Sequence, residues 1–374
     1  MSTNNIVIVG AGPGGTTIAN ALSAKLDSSK HNLILINPRS YGMYMVATAR
    51  MIVSPAQNLQ ETSLVKLDRV FANGKGENKV GVVTSIESAG NGKGGAVLLQ
   101  SGERVPYQVL ILATGSSWNS PLNFPLTEEG VIPHVNAWRE KIANATNIVL
   151  AGGGAVGIEL AGEIKDIYPN KKVTIVQGNK QLLNPTYSAT FRNGVADRLR
   201  ARGVELVFEE YIDEIPAEGT VGLTTRSGKQ FGKADLVIST RGPSPNTAFI
   251  HSLGSDTLTG RGYVNVKPTL QLINHPDIFA AGDIIEWAEQ KQAAKINGHA
   301  GVVVANVVSY LAGGSALKEY KGGFEVMIVT NGKNGGMAYL PFFGGFTLGD
   351  WFARLTKSKS LFVPMWRKGL GYSG

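Results

Sequence analysis

Residues 6–15, Ile-Val-Ile-Val-Gly-Ala-Gly-Pro-Gly-Gly, decide the fold of this chain. An apolar run followed by G-x-G-x-x-G is typical of a strand, a tight turn and a helix. The first glycine allows the turn, the second lets the backbone approach a pyrophosphate, and the third lets helix and strand pack closely. The helix N-terminus then faces the anion. The residues predicted to contact a dinucleotide here are Gly10, Gly12, Pro13, Gly14 and Gly15.

The same pattern occurs a second time, at residues 152–157, after the apolar run Ile148 to Ala151. Runs typical of β-strands lie at residues 32–36 and 172–176, where the second strand of each βαβ unit belongs. Two units in one chain predict two bound dinucleotides, the arrangement by which hydride passes between a nicotinamide and a flavin. The alternative is a pair of glycine-rich turns in an ordinary parallel sheet. The second unit is predicted to use Gly152, Gly154, Ala155, Val156 and Gly157.

The absence of cysteine excludes several classes of chemistry. With no cysteine among its 374 residues, the chain has no disulfide framework, no thiolate metal site and no cysteine nucleophile. It also lacks a redox-active dithiol, so it cannot reduce disulfides as glutathione reductase does. Its five histidines are scattered along the sequence and form no metal-ligand pattern, so no metal site is predicted.

Half of the net charge of +8 lies in residues 350–374, which contain five basic residues and one acidic residue. The same segment contains Trp351, Phe352, Phe362, Trp366 and Tyr372, and basic residues with aromatic ones are typical of a membrane-interface surface. A terminal element whose aromatics pack on the protein body is the alternative, and both stay open. Because the charge is concentrated in a short segment, no nucleic-acid partner is predicted.

The sequence predicts no membrane-spanning segment and no targeting segment. No apolar run reaches the roughly 18 residues of a transmembrane helix. The chain passes from Met1 almost directly into a strand, so no signal or transit peptide is expected. The expected location is the cytoplasm, with peripheral attachment to a membrane as an alternative.

Further motifs extend over nearly the whole chain. They are Ala113-Thr114-Gly115, the second unit from Gly152 to Glu163, Ile278 to Asp283, Lys291 to Ala300, and Arg354 to Ser358. With these motifs the chain resembles the two-dinucleotide-binding flavoprotein reductases, and within them the apoptosis-inducing-factor-like group. Together with the missing cysteines, the last two motifs resemble the quinone-reductase-like branch typified by ferroptosis suppressor proteins. The resemblance implies FAD and either NADH or NADPH as cofactors.

The resemblance also implies roles for individual residues. Asp283, after Gly282, accepts a hydrogen bond from a ribityl hydroxyl of the flavin; a helix N-cap is its alternative role. Glu159 lies near the junction of nicotinamide and flavin, or is only a first-turn acid stabilised by the helix dipole. Lys291 lies near the isoalloxazine, where a cation stabilises reduced, anionic flavin, or is an exposed lysine. Arg50 lies beside the cofactor, or on the solvated surface. Further implied cofactor contacts are Val82, Ala113, Thr114, Gly115 and Gly242.

Two strand ends depart from the family pattern. Asn37 and Gln177 stand where an acid usually binds the adenosine ribose. Without a carboxylate at Gln177 to repel a 2′-phosphate, NADPH should be tolerated as well as NADH, and Lys180 favours it. A further departure is the stretch Tyr41 to Met45, which replaces the aromatic-histidine stretch of the family and leaves the lining of the flavin face open.

The predicted fold is α/β, with two Rossmann-like dinucleotide-binding domains and a small α+β C-terminal domain. The NAD(P)H-binding domain (residues 119–238) is inserted in the FAD-binding domain (residues 1–118 and 239–316), and residues 317–374 form the C-terminal domain. Among local elements, the pattern predicts hairpin strands around Val80 to Val83, a helix over residues 188–202 and a hairpin at Asn331-Gly332.

The predicted activity is that of an FAD-dependent NAD(P)H dehydrogenase which passes two electrons to a quinone. Phe346 and Trp351 are predicted to shape the entrance for this acceptor, and an anionic membrane surface is a predicted partner. The chain is expected to be a monomer or a homodimer. The alternatives are a flavin-dependent oxidase or dehydrogenase acting on a soluble metabolite, a flavoprotein that acts by binding, and an inactive reductase kept as a structural partner.

Overall fold

The computed structural model describes residues 4–119, 121–314, 317–342 and 345–373. In chain order the strands are β1 (Asn5–Val9), β2 (Asn32–Asn37), β3 (Tyr41–Met43), β4 (Leu64–Lys66), β5 (Glu77–Val80), β6 (Val83–Ser88), β7 (Gly95–Leu99), β8 (Arg104–Tyr107), β9 (Val109–Leu112), β10 (Ser116–Ser117), β11 (Asn147–Ala151), β12 (Lys172–Gln177), β13 (Val204–Phe208), β14 (Leu223–Thr224), β15 (Gln230–Phe231), β16 (Leu236–Ser239), β17 (Ser244–Pro245), β18 (Gln271–Leu272), β19 (His275–Ala280), β20 (Met327–Thr330), β21 (Gly336–Leu340) and β22 (Phe346–Leu348).

The α-helices are α1 (Pro13–Lys25), α2 (Thr48–Met51), α3 (Leu59–Thr62), α4 (Glu128–Asn144), α5 (Ala155–Ile167), α6 (Ala189–Ala201), α7 (Ile296–Leu311), α8 (Asp350–Ala353) and α9 (Val363–Gly369). Short 3₁₀ turns include Gly282–Ile284 and Ala293–Lys295, and a π-helical turn at Arg354–Ser358 continues α8. Helix α6 matches the helix predicted over residues 188–202, and the Ser188 side chain caps it by accepting from the Phe191 N–H.

Two parallel sheets form the framework, as the paired motifs predict. The first has the strand order β18-β19-β9-β1-β2-β5, and all its pairs are parallel except β18 with β19. The second has the order β13-β12-β11-β16 and is parallel throughout. Since the second sheet lies in sequence between β9 and β19 of the first, one Rossmann-like unit is inserted in the other. The predicted boundary between the FAD-binding and C-terminal domains lies after residue 316. Residues 315–316 lie outside the described residues.

The strands of both sheets are apolar because other elements of the chain pack on them and bury them in the core. Strand β9 is fully buried, and in the first sheet α1 packs against α7. Helix α1 starts at Pro13, whose fixed φ suits the first helical position. In the second unit, most of α5 is buried between its own sheet and the C-terminal elements.

The hairpin predicted around Val80 to Val83 is wrong in its pairing. Strand β5 joins the first sheet as a parallel edge strand beside β2. Strand β6 starts at Val83 and forms its hairpin with β7 instead. Both segments have β-forming sequences, but the partner of a short strand depends on where the sheet edge lies, which local pattern does not show.

The C-terminal elements pack on the second unit and on α1. Strands β20, β21 and β22 form an antiparallel sheet, with the predicted hairpin between β20 and β21. Tyr339 of this sheet contacts the rings of Tyr187 and Phe191. Between the π-helical turn and α9, Leu361 and Phe362 both have positive φ, and Phe362 is the N-cap of α9.

Candidate active site

The two glycine turns have the same backbone geometry. A Cβ atom on Gly15 would lie 1.8 Å from the Gly10 carbonyl oxygen, and one on Gly157 would lie 2.1 Å from that of Gly152. Gly10 (φ +104°) and Gly152 (φ +131°) adopt conformations that favour glycine. The last glycine of each motif therefore permits close packing of helix on strand, and the first permits the turn.

The middle glycine of each turn faces open space. Gly12 and Gly154 are the N-caps of α1 and α5, with φ and ψ of −75° and −176° and of −77° and −177°. A Cβ atom on either residue would meet no protein atom within 4 Å. This open space at a helix N-terminus fits the pyrophosphate of a dinucleotide, which needs backbone N–H groups and room to approach. The other predicted residues of the turns, Pro13, Gly14, Ala155 and Val156, lie in the first turns of these helices.

The amides at the two strand ends hold the turns. The side-chain oxygen of Asn37 accepts a hydrogen bond from Ala11 N–H at 3.2 Å, and that of Gln177 accepts one from Gly153 N–H at 2.8 Å. The Asn37 amide nitrogen donates to two carbonyls of the next loop, and the Gln177 amide nitrogen donates to Gln181 O. Both predicted ribose-binding residues are thus already hydrogen-bonded within the protein. Lys180 is largely exposed, with its Nζ 3.9 Å from Glu209.

The residues predicted to contact the flavin lie close together, after the end of β9 and in the turn that follows β19. Thr114 donates its hydroxyl hydrogen bond to Asn246 O, and Gly115 (φ +65°) faces open space. Ser116 Oγ donates to Asp283 Oδ2 at 2.7 Å. Asp283 lies in the first turn of the 3₁₀ turn that begins at Gly282 and does not cap it, because Ala281 occupies the N-cap position. A carboxylate beside open backbone fits a polar hydroxylated ligand such as the ribityl chain of FAD.

Helix α7 supports this turn from behind. The Gly282 N–H donates to His299 Nδ1 at 3.0 Å, and His299 Nε2 lies 2.9 Å from Glu289 Oε1. Both side chains are almost completely buried. Burial lowers the pKa of His299 below its ordinary value, so the ring is neutral at neutral pH.

Lys291 is partly buried rather than fully exposed. Its Nζ donates to Ile285 O at 2.8 Å and to Trp287 O at 3.3 Å, and it lies 5.2 Å from the centre of the Tyr263 ring. Burial lowers the pKa of the Lys291 amine from its ordinary value. Its predicted position near the isoalloxazine stays a prediction.

Glu159 forms a contact that the sequence did not predict. Lys357 Nζ, on the π-helical turn, donates to Glu159 Oε1 at 2.6 Å, and Thr330 N–H donates to the same oxygen at 3.1 Å. The pair lies one turn from the Gly154 N-cap and is mostly buried, with side chains 13% and 11% exposed. Lys357 was part of the Arg354 to Ser358 motif, but nothing in its local pattern indicated Glu159 as its partner.

Arg50 is buried, so its predicted alternative as a surface residue is wrong. It forms a bidentate ion pair with Glu163 of α5, with both N–O distances 2.8 Å, and also donates to Ser358 O at 2.7 Å. Burial raises the pKa of the Glu163 carboxyl, and the hydrogen bonds and charge of Arg50 oppose this rise. One helical turn further on, Asp166 accepts from Lys333 N–H and pairs with Arg202.

The aromatic C-terminal residues divide into two groups. Trp366 of α9 is buried, stacks on Tyr44 at 5.3 Å, and lies against Gly42, so it covers part of the altered stretch Tyr41 to Met45. In contrast, Trp351 and Phe346 are exposed to 66% and 52%. Trp366 therefore packs on the protein body, whereas the membrane-interface interpretation of exposed Trp351 stays a prediction. The predicted acceptor role of Phe346 and Trp351 stays a prediction.

Two kinds of feature are absent from the described residues. Within the part of the chain that the structure describes, no group of His, Asp or Glu side chains could hold a metal ion. None of the helices there combines the length and apolar character that crossing a membrane requires. Val82 lies between β5 and β6, and Gly242 lies past the end of β16.

Two clefts have different relations to the predicted site. One of about 280 Å³ lies beside Asn37, at the strand end of the first unit. A larger cleft, of about 700 Å³, lies along the β16 edge and is lined by Trp138, Lys141 and Arg241. None of the predicted site residues lines this larger cleft. The glycine turns are the better candidate for the cofactor site because they offer backbone N–H donors to a phosphate.

Comparisons with known proteins agree with this geometry. The family model for pyridine nucleotide-disulphide oxidoreductases matches residues 4–298. The chain is 45% identical to the FAD-dependent oxidoreductase FVFD30 of Flammulina velutipes over 326 residues, which cover 86% of this chain and 100% of that protein. It is 29% identical to ferroptosis suppressor protein 1 of Homo sapiens, over 96% of this chain and 94% of that protein. Among solved structures, the sulfide:quinone oxidoreductase of Aquifex aeolicus has a TM-score of 0.77 at 18% identity, over 99% of this chain and 92% of that one, and is thus similar in fold.

Proposed function

We propose a function for this chain, which belongs to the pyridine nucleotide-disulphide oxidoreductase family. It transfers hydride from NADH or NADPH to FAD and then passes two electrons to a quinone-type acceptor. The chain is an oxidoreductase that uses FAD and a nicotinamide dinucleotide, and its relatives confirm the resemblance to the ferroptosis-suppressor and apoptosis-inducing-factor proteins. Because it has no cysteine, no dithiol can carry the electrons.

The observation that carries the proposal is the pair of matching turns with open space at Gly12 and Gly154. The turn at Gly12 would hold the FAD pyrophosphate, and Asp283 would orient the ribityl chain. The turn at Gly154 would hold the nicotinamide dinucleotide, with Glu159 and Lys357 one helical turn away. When bound, the flavin accepts hydride from the nicotinamide and passes the electrons on. The protein supplies binding, orientation and exclusion of water, so no acid–base triad is required.

The quinone part of the proposal rests on the motif resemblance and on exposed apolar residues of the C-terminal elements. Stopped-flow absorbance tests both half-reactions. NADH should bleach the flavin anaerobically, and a short-chain ubiquinone analogue should restore its absorbance faster than oxygen does. Rapid reoxidation by oxygen with no response to quinone would contradict the quinone proposal and favour a flavin-dependent oxidase.

The cofactor preference should depend on Gln177. We expect the protein to use NADH and NADPH within about tenfold of each other in kcat/KM, since the side chain at the ribose-reading position carries no charge. Gln177→Glu keeps an oxygen acceptor for Gly153 N–H but places a negative charge near a 2′-phosphate. Steady-state kinetics should show a shift toward NADH of about tenfold, which corresponds to ~1.4 kcal/mol. Gln181→Glu is the control on the same loop. A strict NADH preference in the unaltered protein would show that another group reads the ribose.

Trp351 and Leu355 are expected to contact an anionic membrane. They lie four residues apart on one helical segment, exposed to 66% and 76%, with the basic residues Arg354 and Lys359 beside them. Removing the whole segment 350–374 would also remove mostly buried Lys357 and buried Trp366, so point substitutions are the sharper test. Trp351→Ser with Leu355→Ser should weaken binding to phosphatidylserine vesicles and slow reduction of long-chain quinones, while flavin reduction by NADH stays unchanged. Val221→Ser, at an exposed apolar residue of the inserted unit, is the control; equal vesicle binding by all three proteins would contradict the prediction.

A further inference from the structure

We propose that His299 is a positioning residue for the flavin, which holds the Gly282–Asp283 turn in place, and that Glu289 fixes the tautomer of its ring. The inference rests on the proposed function, since it takes Asp283 as a contact of FAD. No other part of the proposed mechanism uses His299 or Glu289.

The first step is the hydrogen bond from the turn. Gly282 has φ +82° and lies directly before Asp283. Its N–H donates to His299 Nδ1 at 3.0 Å, and the His299 side chain is only 2% exposed. Without this acceptor the partly buried Gly282 N–H would lose its protein partner, which disfavours the present conformation of the turn. The direction of the Asp283 carboxylate therefore depends on the ring.

The second step concerns the ring's protons. Because Nδ1 accepts from Gly282, the proton must reside on Nε2. Nε2–H donates to Glu289 Oε1 at 2.9 Å, so the Glu289 carboxylate selects this tautomer. A proton on Nδ1 would place two N–H groups opposite each other. Burial lowers the pKa of His299 and so also favours the neutral ring.

The third step is the support of Glu289. Its Oε2 accepts from Tyr320 Oη at 2.7 Å and from Gly323 N–H at 3.2 Å. Lys295 Nζ lies 3.9 Å from the same oxygen and 3.2 Å from Glu325, so the buried negative charge of Glu289 has a buried cation nearby. The Tyr320 ring packs edge-on against His299 at 4.5 Å. Both oxygens of Glu289 thus have hydrogen-bond partners, which hold the carboxylate in place beside the ring, as a positioning role requires.

The fourth step is the carboxylate itself. Ser116 Oγ donates a hydrogen bond of 2.7 Å to Oδ2 of Asp283. Among the hydrogen bonds of the described residues, Oδ1 of Asp283 has no partner, so it is available to a ligand hydroxyl. A change in the Gly282 turn would move this oxygen. FAD affinity and the environment of the bound flavin should therefore respond to His299, although His299 does not touch the cofactor.

The test compares three variants, each titrated with FAD as apoprotein. His299→Asn places an amide oxygen near the position of Nδ1, so it can still accept from Gly282 N–H. His299→Leu removes the acceptor, and Glu289→Gln removes the charge that selects the tautomer. We expect the Kd for FAD to stay within threefold for His299→Asn, and to rise at least tenfold for His299→Leu and severalfold for Glu289→Gln. The visible circular dichroism and the midpoint potential of the bound flavin should change in the same order.

A purely structural role predicts a different pattern. In that case His299→Asn and His299→Leu would lower the unfolding temperature of the apoprotein alike, and the circular dichroism and potential of the bound flavin would match those of the unaltered protein. That result would overturn the inference, as would equal FAD affinity for all variants. If His299→Leu fails to fold, Glu289→Gln against His299→Asn still gives the comparison. An unaltered protein that binds no FAD would contradict the proposed function instead.

Discussion

Replacing Gly154 by valine should leave the protein folded and yellow. The rate at which NADH or NADPH reduces its flavin should nevertheless fall at least ~100-fold. Gly154 has extended backbone angles that valine adopts readily, and a Cβ there would meet no protein atom within 4 Å. The added side chain would instead occupy the space through which the pyrophosphate must approach the backbone. A loss of ~3 kcal/mol of binding free energy corresponds to the expected ~100-fold decrease. Anaerobic stopped-flow bleaching of the flavin measures it.

The matching variant in the first turn should show which of the two turns binds FAD. Gly12→Val has the same backbone angles and the same open space, so the protein should fold but be purified without FAD. Gly232→Val, at an exposed glycine that also faces open space, is the control for adding a valine. If Gly154→Val is reduced at the rate of the unaltered protein, or if it loses FAD while Gly12→Val keeps it, the assignment of the two turns is wrong.

Replacing Arg50 by methionine should cost about 3–5 kcal/mol of folding free energy, because it leaves the Glu163 carboxylate buried without a partner. Both side chains of this pair are about 5% exposed or less, and they share two hydrogen bonds of 2.8 Å. The double variant Arg50→Met with Glu163→Leu should recover most of the loss. Urea denaturation of the FAD-bound proteins at pH 7 gives the comparison.

The matched control for Arg50 is an exposed pair of the same types. Arg104→Met breaks the Arg104–Glu87 pair, whose side chains are about half exposed, and should change stability by less than ~1 kcal/mol. In Arg50→Met, burial, with the nearby charges of Asp166 and Glu159, raises the pKa of Glu163 above its value in the unfolded chain, and Arg50 no longer opposes this rise. Such a group favours folding at low pH and loses this contribution as pH rises through the folded pKa. The loss of stability should thus be smaller at pH 5 than at pH 7; an equal loss at both would show that Glu163 is not the cause.

The sequence was sufficient to predict the glycine turns because only glycine permits the backbone conformation and the close helix–strand packing there. At Gly15 and Gly157 no other residue fits, so pattern and structure carry the same information. The contacts of Glu159 and Glu163 could not be predicted in this way. Their partners Lys357 and Arg50 are 198 and 113 residues distant in sequence, and only the packing of the C-terminal elements and α2 on α5 brings them together.

The strand-end amides show a second limit. Asn37 and Gln177 were correctly located at the ends of β2 and β12, but the sequence could not show that each side chain binds its own glycine turn. A side-chain amide has both donor and acceptor groups, so its partners depend on the local loop. The aromatic C-terminal segment shows the same dependence. Composition treats Trp351 and Trp366 alike, while packing against Tyr44 buries only Trp366.

Helix α5 joins three parts of the molecule. Along its side, Glu159 pairs with Lys357 of the C-terminal segment, Glu163 with Arg50 of α2, and Asp166 with the backbone at Lys333. The nucleotide turn leads into the same helix at Gly154. If α5 frays, it releases partners in every part at once, so none of them can melt independently of the others. Heating should therefore produce one cooperative transition rather than a series of domain transitions, and a nicotinamide dinucleotide bound at one end of α5 should shift this single transition for the whole protein.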